Sequence, residues 1–333
     1  MKAQALICNA RQQFSLEEFV IPAIAPTEIL ARTLYSGVSV GTEFAVIRGK
    51  LDWGPYPLCT GYQAVGVVEQ VGAAVNGYRP GDKVYYRRNY LPLVLDGQKV
   101  NTAAGTHCSV AVIDPSQAEG IAHLPEGVDE AVGSMFVMPA VGFNAVNMAG
   151  VQLGDTAAFY GAGLIGLGAL LAARLRGATT IAIDLNPRKL ALARQLGADY
   201  TINAAEETTA RVWEICPEGA DVVFEATGLP ACLDAAFALC RLRGKFVFLG
   251  NYGNAPISFH FLVPHVKQVT AFFPCNDGLA PCRRAVLKNI AGGAIPWEKT
   301  ISHRVTAAEA PAFYEAIQQG QADEVLGAVI KWG

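Results

Sequence analysis

Six residues, Gly161-Ala162-Gly163-Leu164-Ile165-Gly166, have the spacing with which a backbone wraps a diphosphate. The first glycine permits a tight turn, the second lets the chain approach the phosphates, and the third allows a helix to pack against a strand. Leu164 and Ile165 then open a helix whose N-terminus faces negative charge. Asp184 lies 18 residues beyond Gly166, at the end of the next strand. A carboxylate there holds both hydroxyls of an adenosine ribose and repels a 2′-phosphate, so the bound dinucleotide is expected to be NAD rather than NADP. Arg188 either flanks the adenine or is a solvated charge at a helix start. Thr227, in Glu225-Ala-Thr-Gly228, and Gly250, in Leu249-Gly250, fall at the ends of later strands. They read either as cofactor neighbours or as turn residues.

A frame for these groups is visible in the pattern around them. Strand signals at 156–160, 180–184, 220–225 and 245–250 alternate with helix signals at 164–176, 187–196 and 229–242. That order predicts parallel βαβ units and a Rossmann, doubly wound parallel sheet. Before residue 125 the texture is different. An alternating run at 28–35, a small-and-branched run at 64–71, turn residues at 77–82 and a short run at 83–86 predict a barrel-like β domain. Residues 130–149 have helical spacing, with Pro139 as a kink or boundary. After about 274 the pattern is mixed, with a helix near 307–319 and a strand near 325–331. The fold class is therefore α/β.

A chain of 333 residues favours two domains. Hydrophobic residues make up 52% and charged residues 17%, which excludes a disordered chain and is consistent with apolar surface covered by a partner subunit. Twenty-six basic and 29 acidic residues leave a net charge of −3, and Arg87-Arg88 and Arg283-Arg284 form no stripe. A nucleic-acid or anionic-membrane partner is not expected. The uncharged stretch 157–173 contains four glycines, falls short of a membrane span and belongs to the phosphate-binding turn. Lys2 precedes no signal-peptide core, so a cytoplasmic location is expected. Eight cysteines without CxxC spacing read as small buried hydrophobes in a reducing compartment.

The segments Gly61-Tyr-Gln-Ala-Val-Gly66, Val71-Gly72, Gly81-Asp-Lys-Val84, Gly161-Ala-Gly-Leu-Ile-Gly166 and Leu196-Gly-Ala-Asp199 together resemble the medium-chain dehydrogenase/reductase superfamily. The resemblance runs from Lys2 to about Val329. It implies a GroES-like catalytic domain built from both chain ends, residues 1–138 and 274–333. It also implies an inserted Rossmann NAD-binding domain, residues 139–273, an active-site cleft between the two, and a homodimer or homotetramer.

Departures from the family pattern bear on the chemistry. Zinc-dependent members carry a cysteine where this chain has Ser39 or Val40, within Ser36-Gly-Val-Ser-Val-Gly-Thr-Glu43. They carry a His-Glu pair where it has Tyr62-Gln63, and a third ligand near Met138-Pro139. Catalytic zinc needs three ligands of the Cys, His or carboxylate type. None is present by alignment, and Cys108 is the one cysteine between Val84 and Asp114, so the structural zinc lobe is also missing. Glu43 with Cys59, or His260 with His265 five residues on, do not rebuild a metal site. No metal is expected. The segment 36–43 with the following Gly-Tyr most resembles a zinc-lacking branch, the bacteriochlorophyllide dehydrogenase-like proteins, which implies interconversion of a secondary alcohol and a ketone.

Without zinc, hydrogen-bond donors and a proton relay must serve the reacting oxygen. Tyr62 takes the vacated ligand position, and a nearby nicotinamide charge would lower its phenol from about 10, which suits oxidation. Ser39 and Thr42 are candidates for binding or relay, against the alternative of helix N-caps. Glu43 either orients Tyr62 or Thr42 or simply occupies the first helical turn. Arg88 and Tyr90 are candidates for the cleft wall, and His107 fits a structural strand position. Three functions stay open: a zinc-independent NAD-dependent dehydrogenase of a secondary alcohol, polyol or sugar-like hydroxyl; a reductase of conjugated C=C bonds; and an NAD-binding sensor without turnover.

Overall fold

Branched and aromatic residues at 220–225 and 245–248 are buried on both faces, as strands inside a parallel sheet must be. The computed structural model describes residues 2–117, 120–321 and 324–333. Its contacts divide the chain into one unit of residues 137–289 and 293–300, and another made from the two chain ends with residues 290–292.

In the 137–300 unit, six parallel strands run in the order Tyr200–Asn203, Thr179–Asp184, Thr156–Tyr160, Ala220–Glu225, Cys240–Phe248 and Thr270–Phe272. This is a doubly wound Rossmann sheet, with its order reversing beside Thr156–Tyr160. Helices Val137–Ala149 and Leu164–Leu175 pack at a glycine contact. A Cβ on Gly142 would overlap the backbone of Ala169, and one on Gly168 would lie 2.5 Å from the Pro139 Cα.

Two expectations are corrected in this unit. The helix expected over 229–242 is a single turn at Pro230–Cys232 followed by Leu233–Ala238, and the strand already begins at Cys240. Lys267 Nζ ends the helix by donating to the Ala238 and Cys240 carbonyls at 2.7 Å each. The chain returns to the other unit near 301, not 274. Asn144 Nδ2 donates to the Asn276 carbonyl at 3.2 Å, and the buried pair Arg283–Asp277 at 2.7 Å anchors helix Leu279–Ala291. Strand Tyr200–Asn203 and helix Thr208–Ile215 lie between elements that the pattern did signal.

In the unit made from the chain ends, a sheet runs in the order His303–Thr306, Ala328–Lys331, Ile29–Val38, Ala64–Val71, Lys83–Tyr86 and Ile121–His123. Val110–Ile113 also pairs with Ile29–Val38. The pairing Ala328↔Val38 through Lys331↔Tyr35 brings the C-terminal segment beside helix Val40–Ile47. Phe44, Ile47, Tyr314, Ile317, Ile330 and Trp332 form one buried cluster there. Among the described residues, no helix is long and apolar enough to cross a membrane.

Candidate active site and dinucleotide site

The glycine-rich turn joins strand Thr156–Tyr160 to helix Leu164–Leu175. Gly161 has φ +107°, a left-handed value open to glycine, and its N–H donates to the Ile183 carbonyl at 2.7 Å. A Cβ on Gly166 would overlap the Gly161 carbonyl, whereas one on Gly163 meets nothing within 4 Å. Gly163 caps the helix without a side-chain hydrogen bond, so the room in front of the helix N-terminus stays open. Leu164 and Ile165 follow as its first turn. This is a cradle for a diphosphate.

Asp184 ends the neighbouring strand. Its Oδ2 accepts the Ala162 N–H and its Oδ1 the Asn186 N–H, both at 2.8 Å. Each carboxylate oxygen keeps a further lone pair, which suits ribose hydroxyls. Arg188 is exposed in the first turn of helix Pro187–Gln195, where its N–H donates to Asn186 Oδ1 at 2.8 Å. Thr227 is committed locally: its N–H (2.9 Å) and its hydroxyl donate to Glu225 Oε1, and its oxygen accepts the Leu229 N–H at 3.0 Å. Glu225, fully buried, also accepts the Tyr252 hydroxyl and the Gly228 N–H. A Cβ on Gly250 would overlap Gly228, so glycine permits these two strand ends to meet. The turn and Asp184, Thr227 and Gly250 all lie at the carboxyl ends of adjacent parallel strands. The residues present fit an adenine dinucleotide.

The second constellation is built on helix Val40–Ile47. Ser39 precedes that helix, and its side chain makes no capping bond; the Ser39 and Thr42 hydroxyls lie close enough to the Tyr62 phenol to favour its ionised form. Tyr62 is buried, with Trp53 edge-on at 6.3 Å and the Arg87 guanidinium 5.5 Å from its ring centre. Burial pushes the phenol above its ordinary value, with the Glu43 charge adding, against the lowering effects of Ser39, Thr42 and Arg87. The protein's own groups therefore hold Tyr62 as a protonated donor, against which the lowering expected from a nicotinamide charge would act.

Glu43 orients neither Tyr62 nor Thr42 by direct contact. Its Oε1 accepts the Ser39 N–H at 2.8 Å. Its Oε2 accepts the hydroxyls of Thr60 at 2.9 Å and Tyr314 at 2.8 Å, and lies 2.9 Å from His107 Nε2. Burial pushes the carboxyl up, but His107, Ser39 and Tyr314 outweigh that and leave it below the usual carboxylate range. Ser36 Oγ lies 2.8 Å from His107 Nδ1 and accepts the Trp332 indole N–H at 2.8 Å. Tyr314, Ser36, Thr60 and Trp332 were not signalled by the sequence. Tyr314 meets Glu43 across 271 positions, a contact that local spacing cannot reveal.

The positions that ligate zinc in relatives do not fit a metal. Val40 is alkyl, and Met138 and Pro139 are buried in helix Val137–Ala149. The Gln63 amide approaches the Gly37 carbonyl at 3.5 Å. His260 pairs with Asp234 at 2.6 Å, His265 stacks on Phe261, and Cys59 is a buried thiol pushed well above its ordinary value by burial. Among the described residues, no group of three or more His, Cys, Asp or Glu side chains is arranged to hold a metal ion. Tyr90 is 41% exposed and Arg88 is exposed.

Residues 25–135 match the alcohol dehydrogenase GroES-like domain and residues 165–289 the zinc-binding dehydrogenase domain. An alcohol dehydrogenase from Cupriavidus necator is 29% identical over 99% of this chain and 98% of its own length. Sorbitol dehydrogenase from Gallus gallus is 25% identical over 97% and 95%. In three dimensions, an oxidoreductase of unknown specificity from Escherichia coli superposes with a TM-score of 0.87 at 23% identity, covering 99% of each chain. With both domains matched in order and relatives aligned end to end, the chain belongs to the medium-chain dehydrogenase/reductase superfamily, as an enzyme of its alcohol dehydrogenase type.

Proposed function

We propose that this enzyme is a zinc-independent, NAD-dependent dehydrogenase that interconverts a secondary alcohol and a ketone. Its substrate class is polyols, sugar-like hydroxyls or secondary metabolites of that kind. The observation that carries this reading is the buried Tyr62 side chain, with Ser39 and Thr42 nearby, at the position where the family resemblance puts a zinc ligand. Relatives named for alcohol and sorbitol oxidation support the substrate class. Asp184 supports NAD over NADP, since a 2′-phosphate beside it would meet a carboxylate.

Bound NAD supplies the hydride acceptor, and NADH the donor in reverse. The rest falls to the chain's own groups. In the reducing direction the Tyr62 O–H donates a hydrogen bond to the carbonyl oxygen and gives up its proton as hydride reaches the carbon. The product is the alcohol, and the phenolate left behind is reprotonated through the Ser39 and Thr42 hydroxyls. Thr42 is only half-buried, which gives the relay an outlet. Oxidation runs the same steps backward and needs Tyr62 deprotonated. Free thiols support a reducing, cytoplasmic setting. Exposed Phe261, Leu262, Val266 and Phe273 near edge strand Thr270–Phe272 support self-association.

A pH profile tests this reading. The Tyr62 phenol is raised above about 10, so alcohol oxidation should climb about tenfold per pH unit from neutrality to roughly pH 9.5. Ketone reduction should stay level over the same range. Initial rates in both directions, followed by nicotinamide absorbance, give the answer. An oxidation rate that levels off near pH 7 would point to another base and sink the Tyr62 assignment.

A further inference from the structure

We propose that Glu225, buried at the end of strand Ala220–Glu225, and Tyr252 are positioning residues for the nicotinamide-ribose half of the dinucleotide. This rests on the reading that Asp184 and the glycine-rich turn take the adenosine and diphosphate half.

The crevice of a doubly wound sheet opens where its strand order reverses, here between Thr156–Tyr160 and Ala220–Glu225. Asp184 ends the strand on the other side of Thr156–Tyr160. A dinucleotide laid across the crevice with its adenosine half at Asp184 sends its other half over the ends of Ala220–Glu225 and Cys240–Phe248. The chain at those ends packs directly on the glycine-rich turn. The Ala226 N–H donates to the Tyr160 carbonyl at 2.8 Å, and a Cβ on Gly161 would lie 2.9 Å from the Thr227 nitrogen.

Glu225 holds this wall together with both its main chain and its side chain. Its backbone carbonyl accepts the N–H groups of Leu249 at 2.8 Å and Gly250 at 2.7 Å, which ties the two strand ends to each other. Its fully buried carboxylate takes four donors. Oε1 accepts the Thr227 N–H at 2.9 Å and the Thr227 hydroxyl; Oε2 accepts the Gly228 N–H at 3.2 Å and the Tyr252 hydroxyl. Thr227 and Gly228 follow one strand and Tyr252 follows the next, so a single carboxylate fastens both loops. The Phe248 ring, edge-on at 5.9 Å, sets the Tyr252 ring. Gly228 and Gly250 let the loops close: a Cβ on Gly228 would lie 2.6 Å from the Asn251 carbonyl oxygen.

A buried carboxylate is a poor choice for stability alone, since well-packed apolar side chains usually do as well or better. Here each of its four donors belongs to a loop at the ligand end of the sheet. The site also demands a group that only accepts. Glutamine would turn its NH₂ toward either the Thr227 or the Gly228 N–H and leave that backbone donor facing another donor.

Two probes separate the halves of the cofactor. ADP carries the adenosine and diphosphate alone. NADH adds the nicotinamide riboside, and its own fluorescence reports the surroundings of that ring. Tyr252→Phe removes one donor and little volume, whereas Glu225→Gln disturbs both loops. Each should weaken NADH binding by about tenfold, with ADP binding within about twofold of the parent. Nicotinamide emission from the bound cofactor should move toward that of free NADH. The loss in turnover should fall mainly on KM for NAD and less on kcat. Tyr252→Phe carries the test should Glu225→Gln fail to fold. A purely structural clamp would lower the melting temperature and leave both affinities at their parental values, and a general loosening of the site would weaken ADP as much as NADH. Either result from folded Tyr252→Phe would overturn the proposal. Asp184→Ser in the same series distinguishes the two failures. If it weakens ADP while the Glu225 and Tyr252 substitutions change no affinity, only this inference falls; if it leaves ADP binding untouched, the placement of the adenosine half falls and takes this inference with it.

Discussion

Tyr62→Phe should lower kcat for both alcohol oxidation and ketone reduction by about 10²- to 10⁴-fold, the range typical of losing a positioned acid–base group. The substitution removes one oxygen and little volume. The ring keeps its edge contact with Trp53 and its place beneath Arg87. NAD binding is measured separately by quenching of intrinsic fluorescence and should stay within about twofold, since the glycine-rich turn and Asp184 are untouched. The diagnostic pattern is a collapse of kcat with folding and cofactor binding intact. Near-parental kcat would mean that another group stabilises the reacting oxygen.

Asp184→Ser should reverse the cofactor preference. On the proposed reading the carboxylate beside the turn repels a 2′-phosphate, and juxtaposed like charges cost several kcal/mol. Removing it should raise the ratio of kcat/KM with NADP to that with NAD by about 100-fold or more, from both sides. NAD loses a partner for its ribose hydroxyls, and NADP loses a repulsion. The same carboxylate fastens the turn through the Ala162 N–H and the next helix through the Asn186 N–H, each at 2.8 Å. Serine spans these poorly, so the melting temperature should drop by a few degrees, consistent with about 1 kcal/mol for a lost bond. An unchanged ratio would mean that Asp184 is a turn brace and that cofactor choice is set elsewhere.

The dinucleotide half of the molecule was legible because its chemistry is local. Gly161, Gly163 and Gly166 act within one turn, and Asp184 sits one βα unit away, so spacing alone carries the geometry. The strands at 64–71 and 83–86 were read to the residue, with Gly72 closing the first and Pro80-Gly81-Asp82 preceding the second. The stretch after Leu229 misled because Ala, Leu and Cys at 231–242 suit a helix, while the strand of which 240–242 is part is imposed by pairing with Ala220 and the buried Phe246 and Phe248. Tyr62, Ser39 and Thr42 were identified singly, and the structure brings them together. For Glu43 the sequence left two alternatives open, orienting Tyr62 or Thr42 or simply occupying the first helical turn, where it does lie. Its partners His107 and Tyr314 are distant in sequence, and a glutamate in a first turn reads as a helix-start charge when no partner is in view. His107 was noted as a structural residue at a strand position; its buried ring sits in a polar network, and the strand begins only at Val110.

The most direct test of metal-free hydride transfer is turnover by enzyme exhaustively treated with chelator and checked for metal by elemental analysis. NADH formation is followed with NAD and a panel of polyols, sugars and secondary alcohols, with NADP in parallel. Unchanged kcat at less than about 0.05 metal ions per chain is the expected result, with NAD strongly preferred. Activity that disappears with the metal and returns with added zinc would contradict the account, because the oxygen of the substrate would then be held by an ion and not by Tyr62.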